Sequence, residues 1–551
     1  MSRAQGIPDP ARLSDAVRSA WPAEASTRLY VVAALTLIGL GVVLRLAGYF
    51  GGIELWWDEA MWAIRIAEGE PTSIRPLGYA WVSRWLIDLR NTEPVIRSVS
   101  LVAGALSLPV FLAVCRQAGL SRLTSLFGLF VLAVHPAAID MTKEFKPYAL
   151  ELLLHLLLLW LAFSCLRSCE TWRLLWMGLL AACAPLFSWS IVVLYPGLFV
   201  ILGADAFRRR RLPQLLATAG SAVVSAGVLL TAYWLQLRGS RPNHVYWGEK
   251  YDIFFLGSDV AGLAFWLLEK TYDVASFPAR LETFWLAPSA VDVFVALQVA
   301  LCLLGVIAIG TARRWDRAAL WLSPWLVTIG LNLLGRWPYG VFRTNLFLLA
   351  YSLLLALAGL DGLRRWIAVR QEGPRPVGKL IVPVFCTSFV LAFLPIDVGS
   401  FAEGKPSGLS ATCHAHRALQ VAYDAERDEA APARRRRFLV DLSARRAYLY
   451  YRDYHAVASE KYGAFFRARY RRSKHSQPLE ETIDRQAGRG FWLLACGPLE
   501  AAAARRYALD RCPHVDYIED FPDGDLILRC RGLVDRAPLQ RGSDRPAGSR
   551  E

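Results

Sequence analysis

Charge is scarce in this chain. Asp, Glu, Lys and Arg together make up 20% of its 551 residues, and between residues 29 and 396 they fall almost entirely into short gaps between apolar blocks. That scarcity excludes a disordered chain, and it fits poorly with the three or four soluble domains that this length would otherwise hold at about 150 residues each. Internal repeats are also lacking, which excludes repeat architectures and a collagen-like chain. CxxC pairs of the metal-binding type are absent as well. What is abundant is hydrophobicity: 55% of residues are apolar and 20 are tryptophan, with a mean hydropathy of +0.31. The net charge of +15 would suit nucleic acid, but most of the short basic clusters interrupt hydrophobic blocks, where cations set orientation and meet lipid phosphates.

A helix needs about 20 apolar residues to cross the hydrocarbon core, because an unpaired backbone amide there costs several kcal/mol. The first such run, Leu29 to Phe50, exceeds the core of a cleavable signal and reads as a retained signal anchor behind a cytoplasmic segment 1–28. Further runs lie at Val99–Cys115, Leu123–Ile139, Ala149–Leu166, Leu174–Phe187, Ile191–Phe207, Leu215–Leu235, Val291–Thr311, Ala318–Leu334, Leu346–Leu360 and Leu380–Ile396, making about eleven spans. Counting alternately from a cytoplasmic start puts Arg116–Arg122, Arg167–Arg173, Arg208–Arg211, Arg313–Arg317 and Arg364–Lys379 on the cytoplasmic side. All are basic, as the positive-inside rule requires. The outward segments are then 51–97, 140–147, 236–289 and 335–345. Within the first, Pro76 to Ile87 reads as a helix lying in the membrane plane, interrupted by Arg84.

The expected fold is therefore a polytopic α-helical membrane domain over 29–397, followed by an extracytoplasmic soluble α/β domain over 398–535 and a flexible tail over 536–551. Strand-like runs at Phe438–Leu442 and Phe491–Ala495 alternate with helical stretches from Ala444 and near Leu499, and Phe521–Leu528 reads as a hairpin. Cys413, Cys496, Cys512 and Cys530 lie in this domain, where they form either one or two disulfides or buried free thiols.

Chemistry can reside in the outward segments. Trp56-Trp57-Asp58-Glu59 follows the first span closely, placing two adjacent carboxylates beside an aromatic anchor; the plainer reading is that Asp58 caps a helix Glu59–Glu68. In 140–147 and just after it, Lys143 and Lys146 can receive a phosphate, Tyr148 can stack or hydrogen-bond, and Glu144 can face an acceptor. Arg336 and Arg343 oppose the positive-inside bias, and an anionic ligand is a reason to tolerate them. The long segment 236–289, with His244, Tyr246, Trp247 and an amphipathic stretch around Phe265–Leu268, has the length of a lid; His244 is either a base or a plain surface histidine.

Taken in order, these pieces resemble a known pattern: Trp57-Asp58-Glu59-Ala60, Pro76-Leu77, Arg97-Ser98-Val99-Ser100, His135-Pro136, Glu144-Phe145-Lys146-Pro147-Tyr148, and Trp337-Pro338-Tyr339 with Arg343. The first 400 or so residues resemble the GT-C superfamily, and in particular bacterial members related to protein O-mannosyltransferases and to the aminoarabinose transferase of lipid A. The resemblance implies a GT-C-like glycosyltransferase that takes a sugar from a polyprenyl phosphate and passes it to an acceptor hydroxyl, with inversion. It implies Asp58 as the catalytic carboxylate and Glu59 as its companion, with Lys146 and Arg343 at the donor phosphate; Lys143, Tyr148 and Arg336, read from the same outward segments, are further candidates for that phosphate. Lys146 departs from the arginine usual before Pro-Tyr in these relatives, keeping the charge without the bidentate fork. Superfamily members vary in using a divalent cation such as Mg or Mn, and a metal site is not assigned. Expected partners are the prenyl-linked donor, a lipid, protein or glycan acceptor and membrane lipids, with no nucleic acid. A lipid or oligosaccharide flippase and a non-catalytic scaffold are the competing readings, although ionisable residues are few inside the spans.

Overall fold

The computed structural model describes residues 23–50, 54–69, 76–168, 170–236, 254–255, 259–277, 288–340, 343–370, 414–427, 437–440, 444–467, 483, 491–496, 498–511, 515–520 and 526–530. Its helices of nine or more residues are α1 (Ala23–Phe50), α2 (Trp57–Ala67), α3 (Leu77–Leu89), α4 (Ser98–Gln117), α5 (Arg122–Val134), α6 (Tyr148–Ser168), α7 (Thr171–Cys183), α8 (Tyr195–Arg208), α9 (Leu212–Gln236), α10 (Val260–Ser276), α11 (Pro288–Thr311), α12 (Trp315–Leu333), α13 (Leu346–Arg370), α14 (Ala415–Arg427), α15 (Arg445–Asp453), α16 (Ala458–Arg467) and α17 (Pro498–Arg511). The chain divides into two compact units. One comprises Met1–Ile53, Pro71–Trp85 and Ile96–Leu409; the other comprises Glu54–Glu70, Leu86–Val95 and Ser410–Glu551. Two parts of the expected outward segment 51–97 thus belong with the C-terminal residues.

In the first unit, ten of the eleven apolar runs form helices, and the last, Leu380–Ile396, lies outside the described residues. Among the described residues, six helices are long and apolar enough to cross a membrane, while Arg122–Val134 and Thr171–Leu186 are shorter apolar helices. This is a multi-pass membrane protein. The run Leu123–Ile139 is not one helix: it breaks at His135, whose backbone is extended, and a five-residue helix restarts at Pro136. Pro136 lacks the N–H that would continue the ladder and disfavours a helical residue before it. The runs Leu174–Phe187 and Ile191–Phe207 are likewise joined by short 3-10 turns, Ala184–Leu186 and Ser190–Val193.

Helices α13 and α6 form the centre, with 89% and 72% of their apolar windows buried, against 22% for α1 and 17% for α9. Helix α9 turns Leu216, Val223, Val224 and Leu230 outward, as lipid contact demands. Without a hydrophobic force between helices in lipid, close packing needs small residues. Helices α11 and α13 meet at Gly305 and Gly359, where an added Cβ would lie 2.0 Å from Leu355 O and 2.1 Å from Leu301 O.

Side-chain contacts sort the loops into two ends. At one, Arg167 donates to the carbonyls of Arg116 and Gln117 (3.2 and 2.7 Å), and Arg209 donates to Leu166 O at 3.0 Å. Asp361 accepts from Ser121 N at 2.8 Å and from Thr124 Oγ1 at 3.0 Å, and Arg317 lies against Gly119. The basic loops expected on the cytoplasmic side therefore gather together, their arginines capping helix C-termini where the backbone dipole favours cations.

In the second unit, four strands, β1 (Arg437–Val440), β2 (Phe491–Ala495), β3 (Val515–Asp520) and β4 (Leu526–Cys530), form a sheet of order β1-β2-β4-β3. β1 and β2 run parallel and the other pairs antiparallel. Strand β2 is buried along its length, packed with Ala501, Ala504 and Ala508 of α17. Helix α2 packs against α15.

Cys496 and Cys530 are both disulfide-bonded. Cys530 pairs with Phe491 in the β2–β4 register, while Cys496 follows Ala495, whose partner is Leu526. That separates them by about 17 Å at ~3.4 Å per residue, beyond the ~7 Å reach of a disulfide. The two are therefore not bonded to each other, and the other cysteines of this domain, Cys413 and Cys512, lie outside the described residues. Peptide mapping under non-reducing conditions is expected to find two disulfides that leave no free thiol at Cys496 or Cys530. Loss of either is expected to cost about 2–5 kcal/mol of this unit's stability, read as an earlier thermal transition after reduction; a free Cys530 thiol in the oxidised protein would refute the assignment.

Candidate functional site

The other end of the first unit holds a concentration of buried charge. After the break at His135, the chain runs through Asp140, Lys143, Glu144 and Lys146, each at most 4% exposed. Burial of so many ionisable groups is expensive unless they are paired or await a ligand. Lys143 Nζ pairs with Asp140 Oδ1 at 2.9 Å; removing either partner would strand a buried charge, at about 3–5 kcal/mol. The lysine stem runs past Gly48 near the end of α1, where a Cβ would lie 2.1 Å from Lys143 Cε. Any other residue at 48 would displace it.

Parts of the other outward segments that belong to this unit meet the same end. Ser100 in the first turn of α4 donates to Lys146 O at 2.8 Å, and Tyr79 of α3 lies 6.2 Å from Phe145, centroid to centroid. Arg97, just before α4, is 4% exposed. Arg45, fully buried in α1, donates to the carbonyls of Gly41, Leu132 and Ala133 at 2.9–3.1 Å, satisfying the C-terminus of α5 next to the break. His135 Nε2 donates to Phe277 O at 2.8 Å, just beyond α10. Tyr339 OH donates to Thr271 Oγ1 of α10 at 3.2 Å, and Gly340, at φ +88°, packs against the stem of Lys270.

Two helices set the relation between the remote lysine and arginine segments. Pro147 accepts the first turn of α6, with Glu151 N donating to Pro147 O at 2.8 Å, so the proline sits at the N-cap of that helix. Two turns down, His155 stacks on Phe347 (4.6 Å, 10°) and its Nδ1 lies 2.8 Å from Tyr351 OH. These are residues of the first two turns of α13, so α6 and α13 begin side by side. Lys146 and the 3-10 turn Arg343–Asn345 therefore stand at one end of the unit. Trp337 Nε1 donates to Asn345 Oδ1 at 3.2 Å and Asn345 Nδ2 to Pro338 O at 3.1 Å, folding the Trp-Pro-Tyr segment onto the start of α13. The Arg343 side chain lies outside the described part, and Arg336 is exposed. Tyr148 is half-buried at the first position of α6. His244, Tyr246 and Trp247 lie outside the described residues.

Asp58 and Glu59 belong to the second unit. Helix α2 begins at Trp57 with Trp56 as its N-cap, so Asp58 lies inside the first turn and does not cap the helix. Glu59 is 1% exposed, and its Oε2 accepts from Trp56 N at 3.3 Å, which is the reach-back half of a capping box. The two carboxylates thus have different environments: Glu59 is tied to its own helix start, whereas Asp58 is half-buried. Arg446 of α15 has its pKa lowered by burial and by Arg65 and Arg445, with Asp58 and Glu68 opposing, so Asp58 shares its surroundings with arginines.

Several polar residues of these clusters escape a reading by loops. Arg45, as a lone charge within the first span, carried a signal; so did Glu151 and His155, spaced i, i+4 on α6. Glu54, Glu93, Tyr451 and His455 carried none, since their neighbours are hundreds of residues away. Among the described residues no group of three or more His, Cys, Asp or Glu is disposed to hold a metal ion.

No family model and no curated protein matches the chain. Similar solved structures include ArnT from Cupriavidus metallidurans bound to undecaprenyl phosphate, at 12% identity over 92% of this chain and 98% of that one, TM-score 0.48. They also include the Archaeoglobus fulgidus oligosaccharyltransferase in the apo form, at 13% identity over 76% of this chain, TM-score 0.43. A third is the S. cerevisiae protein O-mannosyltransferase Pmt1-Pmt2 complex bound to the sugar donor, at 14% identity over 42% of this chain, TM-score 0.32. The chain spans 63% of the oligosaccharyltransferase and 36% of the mannosyltransferase chain. At these identities the likeness is one of fold.

Proposed function

We propose that this chain is a GT-C-type membrane glycosyltransferase that moves a sugar from a polyprenyl phosphate to an acceptor hydroxyl at the non-cytoplasmic face, with inversion. The observation that carries the reading is the gathering of Arg97, Lys143 and Lys146, each at most 4% exposed, at the end of the helical unit opposite the basic loops. Cations held dry at a membrane boundary suit a lipid-linked phosphate better than a freely hydrated solute.

In this reading the acceptor oxygen attacks the anomeric carbon as the bond from that carbon to the phosphate oxygen breaks. The bonding pair departs on the prenyl phosphate, whose growing charge Lys146 and Arg343 receive. The acceptor proton passes to the Asp58 carboxylate as general base. Glu59, occupied with the helix start, holds α2 in place instead of sharing the proton. Donor affinity comes mainly from the prenyl chain, at about 0.8 kcal/mol per buried CH₂.

A flippase reading has one observation in its favour: Glu151 and His155 are buried within α6, and intramembrane ionisable groups often line transport paths. His155, however, is closed in by Tyr351, Phe347 and Ser190, an arrangement that joins helices. The test is purification in detergent, mass spectrometry of co-purifying lipids and transfer assays with candidate hydroxyl acceptors. A co-purifying prenyl phosphate and a product heavier by one sugar are expected; a preparation with neither would refute the proposal.

A further inference from the structure

Resting on the glycosyltransferase reading, the question is what fixes Asp58 in place. The two residues entering its helix, Glu54 and Leu55, are 9% and 0% exposed. The Leu55 N–H, a buried donor one turn before Asp58, donates to Tyr451 OH at 2.7 Å. The same hydroxyl donates its single proton to Glu93 Oε1 at 2.7 Å. The other Glu93 oxygen lies 2.8 Å from His455 Nε2. Ala458 N donates to His455 Nδ1 at 3.0 Å, which requires Nδ1 unprotonated and puts the ring proton on Nε2, facing the carboxylate. Every donor in this chain meets an acceptor, so its direction is fixed from the main chain of α16 back to Leu55.

Glu54 is tied separately. Its two oxygens accept from the backbone N–H groups of His416 (2.6 Å) and Arg417 (2.8 Å) in the first turn of α14. The His416 ring then stacks on Tyr451 at 5.0 Å and 16°. Asn91, two residues before Glu93, accepts from Tyr450 OH at 2.8 Å and donates to Tyr454 O at 3.0 Å. Burial would raise the Glu93 carboxyl, but the hydrogen bonds from His455 and Tyr451 hold it down at about 2. It therefore stays an acceptor across the physiological range.

We infer that Tyr451, oriented by the Glu93–His455 pair, is a positioning residue for Asp58: the C-terminal region sets the geometry of the proposed base by gripping the backbone one turn ahead of it. Buried networks with every member satisfied are rigid, and a displacement of about 1 Å at a reacting group costs on the order of 100-fold in rate. A C-terminal region serving acceptor docking alone would have no need to hold residues 54 and 55.

The test uses the full-length protein in detergent with Tyr451→Phe, which keeps the ring and removes the hydroxyl. Expected are a fall of about 10- to 100-fold in kcat, a donor KM within about 2-fold of the parent, and faster hydrogen–deuterium exchange at the amide of Leu55. His455→Ala is expected to follow it, and His455→Gln, which returns an N–H donor near the Nε2 position, to recover most of the rate. Unchanged kcat, or a loss expressed only in KM, overturns the inference, as does equal activity of the two His455 variants. If the parent enzyme transfers nothing, the functional reading fails instead, and exchange at Leu55 still decides whether Tyr451 holds the segment: no change there overturns the anchor. If Tyr451→Phe does not fold, the two His455 variants carry the same decision.

Discussion

Asp58→Asn is expected to lower sugar transfer to a hydroxyl acceptor by about 1,000-fold or more, with membrane insertion and thermal stability close to those of the parent. The magnitude is that of a general base whose replacement keeps its shape and loses its affinity for a proton. Asp58 is half-buried and does not cap its helix, so the helix start is kept when the charge is removed. Glu59→Gln is the informative partner. Its side chain accepts a backbone N–H at the start of α2, a role that a glutamine oxygen can keep, so the expected loss is under about 10-fold. Initial rates with a saturating prenyl-linked donor, measured on both variants, check this. Equal losses would make the pair a joint acid–base unit; an active Asp58→Asn protein would remove the proposed base.

Lys146→Ala is expected to reduce kcat by about 100- to 1,000-fold, the range seen when one preorganised donor to a developing negative charge is lost. Because its carbonyl accepts from Ser100, the backbone stays anchored when the side chain is cut. Lys146→Arg is expected to recover a large part of the rate, since a guanidinium keeps the charge and adds a second donor. Single-turnover assays separate the chemical step from donor release. A Lys146→Ala protein with unchanged single-turnover rate would place the departing phosphate elsewhere. Lys143→Ala is a different experiment, because it also strands Asp140, its ion-pair partner at 2.9 Å; loss of activity there would mix chemistry with stability.

The apolar helices and the grouping of the basic loops were legible because they rest on local properties. Span positions follow from the cost of unpaired amides in hydrocarbon, and loop sorting follows from where arginines fall. The contacts of Arg167, Arg209 and Asp361 then gather those basic loops together. Local rules also explain the difference at the start of α2. Asp is a strong N-cap residue, so Asp58 was an attractive boundary, yet the reach-back of Glu59 moves the cap from Asp58 to Trp56. The break at His135-Pro136 was present as a proline inside an apolar run, but hydropathy alone read through it.

The amino-acid sequence by itself determined that this chain threads a membrane many times and which loops share an end, because helix length, apolarity and charge act residue by residue. Only the tertiary structure decided that the acidic segment 54–70 belongs to the same compact unit as the C-terminal sheet, and that Tyr451 and Glu93 are hydrogen-bonded partners 358 residues apart. Such pairings depend on where distant backbone donors are left without water, a condition created by packing and carried by no local pattern.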